Sequence, residues 1–129
     1  MNKLECVRKG DKLYSIEIPY STEEHKIGVW ENGKPLYRKV IKGIFANEEG
    51  GKGFEVNITS LNVENIFMSG SIQYTDGYGS GIHKLGSYLS NNYYSGIQLN
   101  SVKRISVWAS KTYHNGEVIL VIEYTKTTD

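Results

Sequence analysis

The chain is short of several residue types, and each shortage excludes something. It has 129 residues, among them one cysteine, two prolines and two alanines. A single thiol, Cys6, rules out an intrachain disulfide and fits assembly in a reducing cytosol better than a secreted disulfide scaffold. Alanine at positions 46 and 109 alone gives little support to helices. No apolar run reaches the roughly 18 residues a membrane-spanning helix needs, and Met1-Asn2-Lys3-Leu4-Glu5 lacks the apolar stretch of a signal peptide. Neither sign of charge is in excess. Fifteen Lys and Arg oppose fourteen Asp and Glu, a formal net charge of +1, and the densest basic cluster is Lys103-Arg104. A general nucleic-acid binder shows a basic stripe, so neither a nucleic-acid partner nor membrane insertion is expected.

What the chain does have is tyrosine, ten times, and glycine, fourteen times, a strand-and-turn composition. Residues 13–18 alternate, with Tyr14, Ile16 and Ile18 on one face, and predict a half-buried strand. Residues 47–53 are polar and glycine-rich and read as a loop; no helix pattern follows, so they lack the N-terminus that makes such loops cradle phosphate. Phe54, Val56 and Ile58 alternate, as do Ile66, Met68, Gly70, Ile72 and Tyr74, where Gly70 marks a bulge or a close backbone approach. Residues 76–81 are too glycine-rich to be regular. Ile82, Leu85 and Leu89 have helical spacing, but Gly86 and Ser87 interrupt it, and a strand is preferred for 82–90. Asn91-Asn92 is a turn, followed by alternation from Tyr93 to Leu99. Residues 102–108 form a strand with Ile105 and Val107 on one face and Trp108 on the other. His114-Asn115-Gly116-Glu117 reads as an Asn-Gly hairpin, and the continuous apolar run 118–122 reads as a strand covered on both faces, central in its sheet or packed on another copy of the chain.

About eight or nine short strands at roughly 8–12-residue spacing predict one all-β domain over 1–129, an antiparallel β-sandwich of jelly-roll-like kind.

The densest local signal lies between Tyr20 and Lys39. Two extended stretches flank Asn32-Gly33, and Asn-Gly supplies the positive φ of a two-residue hairpin turn. Closing there would set Glu31 opposite Lys34, Trp30 opposite Pro35 and Tyr37 opposite Gly28. Pro35, lacking an N–H, suits a strand start. The string Tyr20-Ser21-Thr22-Glu23-Glu24, then Gly28-Val29-Trp30, then Asn32-Gly33-Lys34-Pro35-Leu36-Tyr37, and the ending Tyr124-Thr125-Lys126-Thr127-Thr128-Asp129 together resemble a module of bacteriophage and prophage tail-fibre, baseplate and other virion appendage proteins. The resemblance covers both ends of the chain and leaves 44–117 unmatched. It implies a homotrimer assembled in the bacterial cytoplasm with other virion proteins, and it supplies no ligand.

The residues themselves offer little chemistry for catalysis. His25, His83 and His114 are far apart in sequence and read as surface histidines, so no metal or cofactor is expected. Cys6 reads as a small buried or edge-strand residue, and no serine sits in a Gly-x-Ser-x-Gly elbow. Glycan hydrolysis needs two convergent carboxylates; Asp11 and Asp76 are the only aspartates before the last residue. Two stretches suit binding instead, 74–78 and 91–94, where tyrosine rings offer faces to sugar C–H groups and Asp or Asn side chains reach hydroxyls. Asp76, Tyr78, Asn92 and Tyr93 are the candidate ligand-binding residues, provided both stretches fall at one end of the sandwich. For Tyr78 and Tyr93 packing at an edge or interface is the competing reading, and for Tyr74 it is preferred. The function expected is attachment to a host cell-surface glycan without catalysis; a purely structural decoration or assembly role is the alternative, and a glycan hydrolase the third.

Overall fold

The structure, a computed structural model, describes residues 20–100 and 103–129 in full and residues 2–9 and 12–18 as backbone strands. In chain order the strands are β1 (Asn2–Lys9), β2 (Lys12–Ile18), β3 (His25–Val29), β4 (Pro35–Ile44), β5 (Gly51–Asn57), β6 (Val63–Asp76), β7 (Gly79–Lys84), β8 (Tyr88–Ser90), β9 (Tyr93–Leu99), β10 (Arg104–Ala109) and β11 (Glu117–Lys126). Short 3-10 turns occupy Thr59–Leu61 and Lys111–Tyr113. β1 and β2 pair with each other; the burial expected for 13–18 and the surroundings of Cys6 lie outside the described residues.

Two antiparallel sheets make a β-sandwich, one ordered β3-β4-β11-β6-β7 and the other β5-β10-β9-β8. The connections from β4 to β5 and from β10 to β11 both cross between sheets, and their strands nest: β4 lies beside β11, and β5 beside β10. This nesting is the jelly-roll-like part. Inside it, β6 and β7 form a hairpin in one sheet, while β8, β9 and β10 meander in the other.

β11 is central, as its apolar run predicts. It pairs with β4 and β6, and Val118, Leu120, Ile122 and Tyr124 point inward and are fully buried. Facing them are Ile105, Val107 and Ala109 of β10, with Phe45, Ile72 and Tyr113 closing the core. Two glycines let aromatic rings in where β4 turns into β5. A Cβ on Gly43 would lie 1.9 Å from the Phe54 ring, and one on Gly53 would lie 2.5 Å from Phe45. Strand β5 accordingly begins at Gly51, inside the stretch that reads as loop. Gly70 marks a close approach and not a bulge: a Cβ there would stand 2.4 Å from the Ile119 carbonyl oxygen of the paired β11.

Both Asn-Gly readings need correction. Between β3 and β4 the loop has three residues, not two. The Gly33 N–H donates to the Trp30 carbonyl at 2.9 Å, the Trp30 N–H donates to Lys34 at 2.8 Å, and Gly33 alone has φ of +85°. The Asn32 side chain is the reason. Its Oδ1 accepts the Lys34 N–H at 3.0 Å, a local side-chain turn that competes with the two-residue geometry. A register shift between Lys26 and Gly28 then sets Val29 opposite Pro35 and Tyr37 opposite Lys26. The second pair, Asn115-Gly116, makes no hairpin at all, because β10 and β11 belong to different sheets. The chain instead crosses the sandwich through the Lys111–Tyr113 turn, with Asn115 at φ of +69°.

The two ends of the motif meet in space. Glu24 accepts hydrogen bonds from the Tyr124 hydroxyl and, at 2.8 Å, from Lys126 Nζ. Lys126 Nζ also lies 4.7 Å from the centre of the Tyr37 ring, whose hydroxyl donates to Asp129 at 2.7 Å. Burial pushes the Glu24 carboxyl up, but Lys126 and the Tyr124 hydroxyl outweigh it and hold the group below its ordinary range.

Candidate functional site

The tip of the β6–β7 hairpin positions the first candidates. Asp76 pairs with Gly79 across a two-residue turn, and its Oδ1 accepts the Tyr78 N–H at 2.7 Å. That local bond fixes the turn and throws the Tyr78 ring outward, 96% exposed. The stretch expected to be irregular therefore shortens to Gly77-Tyr78, with residues 79–81 already in β7. On the facing sheet, Asn91 and Asn92 turn the chain from β8 into β9, and Tyr93 opens β9.

The two stretches fall at the same end of the sandwich and touch. The Tyr93 hydroxyl donates to Asp76 Oδ2 at 3.0 Å, a bond from one sheet to the other. Above it lies an open groove of about 410 Å³, lined by Tyr74, Asp76, Tyr78, Ser80, Leu89 and Tyr93 with Gly79. The Asp76 carboxylate beside it, first as hydrogen-bond acceptor, holds the Tyr93 pKa above its ordinary value, so the hydroxyl stays a donor. Each Asp76 oxygen spends one lone pair within the fold and keeps another for a ligand hydroxyl. The lining contains one carboxylate and neither lysine nor arginine.

Three of the four expected residues are thus brought together, and Asn92 is not. Its carbonyl oxygen accepts the Ser110 and Thr112 hydroxyls at 2.7 and 2.6 Å, which ties the turn to the Lys111–Tyr113 crossover, and it does not line the groove. Ser80 and Leu89 were not anticipated. Leu89, 74% exposed on the short strand β8, is an apolar residue that the core does not use.

Beneath the groove the rings interlock. Tyr74 and Tyr93 both pack edge-on against fully buried Tyr113, at 4.8 and 6.2 Å between centroids, as the packing reading of Tyr74 expects. His83 corrects the reading of three surface histidines: it is 5% exposed and lies against Tyr113. The strand parity of β7 turns His83 inward and Ile82 outward. Burial pushes the imidazole pKa down, and the neutral ring is satisfied on both sides, with Tyr113 Oη 2.7 Å from Nδ1 and Ser95 Oγ 2.9 Å from Nε2. Burial likewise drives the Tyr113 pKa up. A serine beside a histidine invites a nucleophile reading, but Ser95 Oγ also accepts the Gly86 N–H at 3.0 Å and does not line the groove. The network is a polar joint between sheets.

Among the described residues no three His, Cys, Asp or Glu side chains stand close enough to hold a metal ion. No protein-family model, curated protein or solved structure matches the chain.

Proposed function

We propose that the protein is a non-enzymatic attachment module of a bacteriophage virion appendage, of tail-fibre or baseplate kind, that binds a host-surface glycan in the groove between the β6–β7 turn and the start of β9. The observation that carries this reading is the convergence of Asp76, Tyr78 and Tyr93 from two sheets on one open, aromatic, uncharged-to-acidic surface. A tyrosine ring standing free in solvent has nothing to pack on in the fold, and a sugar's C–H face is a fitting partner for it. Asp76 is held in place before any ligand arrives, which lowers the ordering cost of binding. The resemblance of this motif to phage appendage proteins supports the assignment to a virion, and the motif has a physical role of its own, since Glu24, Tyr37, Tyr124 and Lys126 clasp its two separated parts together.

The same reading includes a homotrimer with other virion proteins as neighbours. A purely structural role is the second reading, favoured by the exposed apolar residues Phe67 and Val29, at 53% and 62%, with the half-buried Trp30 ring 5.2 Å from Phe67. Native mass spectrometry should give three times the 14.6 kDa chain mass, and a mass of one chain would remove the trimer. A glycan array with the purified chain tests attachment. Selective retention of a glycan subset is the expected result, and a blank array would favour the structural role.

A further inference from the structure

A second open groove lies on the other face of the same hairpin. It measures about 820 Å³ and is not the one the tyrosine loops form, although Tyr74 and Ser80 border both. Its floor is set by register. Glu117 of β11 pairs with Gln73 of β6, Gln73 pairs with Ile82 of β7, and Thr75 pairs with Ser80, so these five side chains share one face of the five-stranded sheet. Its wall is the crossover segment His114-Asn115-Gly116.

That wall is rigid. The Asn115 N–H donates to the Phe45 carbonyl at 2.8 Å, the Phe45 N–H donates back to Gly116 at 2.9 Å, and the Gly116 N–H donates to Tyr113 at 2.8 Å. A Cβ on Gly116 would lie 2.8 Å from the Gln73 carbonyl oxygen, so the segment rests directly on β6. Asn115 is held at φ of +69°, one of three non-glycine residues with positive φ among the described residues. Backbone held in that region gathers at ligand sites more than elsewhere. The groove also has unspent hydrogen-bonding capacity. Among the described residues the side chains of Gln73, Asn115 and Glu117 are bonded to nothing.

We propose that this groove is a second saccharide site, built for a neutral or amine-bearing oligosaccharide and against an anionic one. Amide, imidazole and hydroxyl groups surround an exposed Ile82, which matches a sugar's alternation of hydroxyls and C–H faces. Glu117 is the charged side chain in the lining, and no lysine or arginine faces it there. An anionic sugar would meet a carboxylate with no cation in the lining to offset it, Lys84 and Lys42 standing one step beyond on the same sheet face, whereas an amine would be attracted. The site stands whether or not the tyrosine groove binds glycan.

The test is an NMR titration of the full chain, ¹⁵N-labelled, with tetrasaccharides of three charge classes: neutral tetramers of glucose, galactose or N-acetylglucosamine, a glucosamine tetramer, and a galacturonate tetramer. A neutral or glucosamine tetramer should shift the backbone amides of Asn115 and Gly116 and the side-chain amide of Gln73, and galacturonate should not. Gln73→Ala should weaken that binding about tenfold, the worth of one good hydrogen bond, with an unchanged melting temperature. Tyr78→Ala should leave these shifts as they are, which separates this site from the tyrosine groove. Silence at Gln73, Asn115 and Gly116 with every neutral and amine-bearing tetramer, tighter binding of galacturonate, or full affinity in Gln73→Ala would each overturn the proposal.

Discussion

Asn32 and Gly33 share one turn unequally, and the difference shows what single residues reveal. Gly33 has the positive φ that its neighbour's identity suggests, while Asn32 stays out of that region because its side chain bonds to Lys34. Gly33→Val should therefore cost about 1–2 kcal/mol from the left-handed backbone alone, since nothing crowds the added Cβ. Thermal denaturation checks this, and an unchanged melting temperature would show that the turn tolerates another geometry. His83 was harder to read. A histidine in a glycine-rich stretch gives no sign of burial, and its partners Tyr113 and Ser95 lie 30 and 12 residues away. The candidate site residues split along the same line. Asp76, Tyr78 and Tyr93 were visible as aromatic and acidic groups in turns, whereas Ser80 and Leu89 count only because a facing loop arrives beside them.

At the scale of elements, alternation carried most of the fold. The strands containing Phe54, Ile72, Ile97 and Ile105 follow period two, and the run 118–122 marked the central strand β11 without any partner being known. Asn115-Gly116 misled because a local turn signal says nothing about whether the flanking strands share a sheet. Here Gly116 serves close packing on β6 instead, and the groove beside it stayed hidden for that reason. Gly70 serves the same end in the middle of the sheet. Gly70→Ala would drive a methyl group into the Ile119 carbonyl of β11, and backbone cannot give as a side chain tip can. The expected loss is at the upper end of the 1–3 kcal/mol typical of overpacking, or more, read as a fall in the urea midpoint. A Gly70→Ala protein as stable as the wild type would mean that β6 and β11 are farther apart than described.

For the whole molecule, the clasp of Glu24 on Tyr124 and Lys126 joins the start of β3 to the end of β11. Its carboxyl pKa is held below the ordinary range in the fold. A depressed acid stabilises the folded state above its unfolded pKa, about 4.3 for glutamate, and that contribution is lost as pH falls toward the folded value. Acid titration of wild type and Glu24→Gln should show the wild type more stable at neutral pH, with the difference shrinking below about pH 4. A difference constant down to low pH would place its origin outside this carboxylate. In the proposed reading, attachment runs through the groove where two sheets bring Asp76, Tyr78 and Tyr93 together. Tyr78 tests it most cleanly, because it is 96% exposed and supports no packing, unlike Tyr93, which borders the core. The decisive measurement is binding of fluorescently labelled wild type and Tyr78→Ala to host cells, with melting curves of both. Attachment through the groove predicts that Tyr78→Ala loses most of its binding while melting at the wild-type temperature; equal binding by the two folded proteins would contradict it.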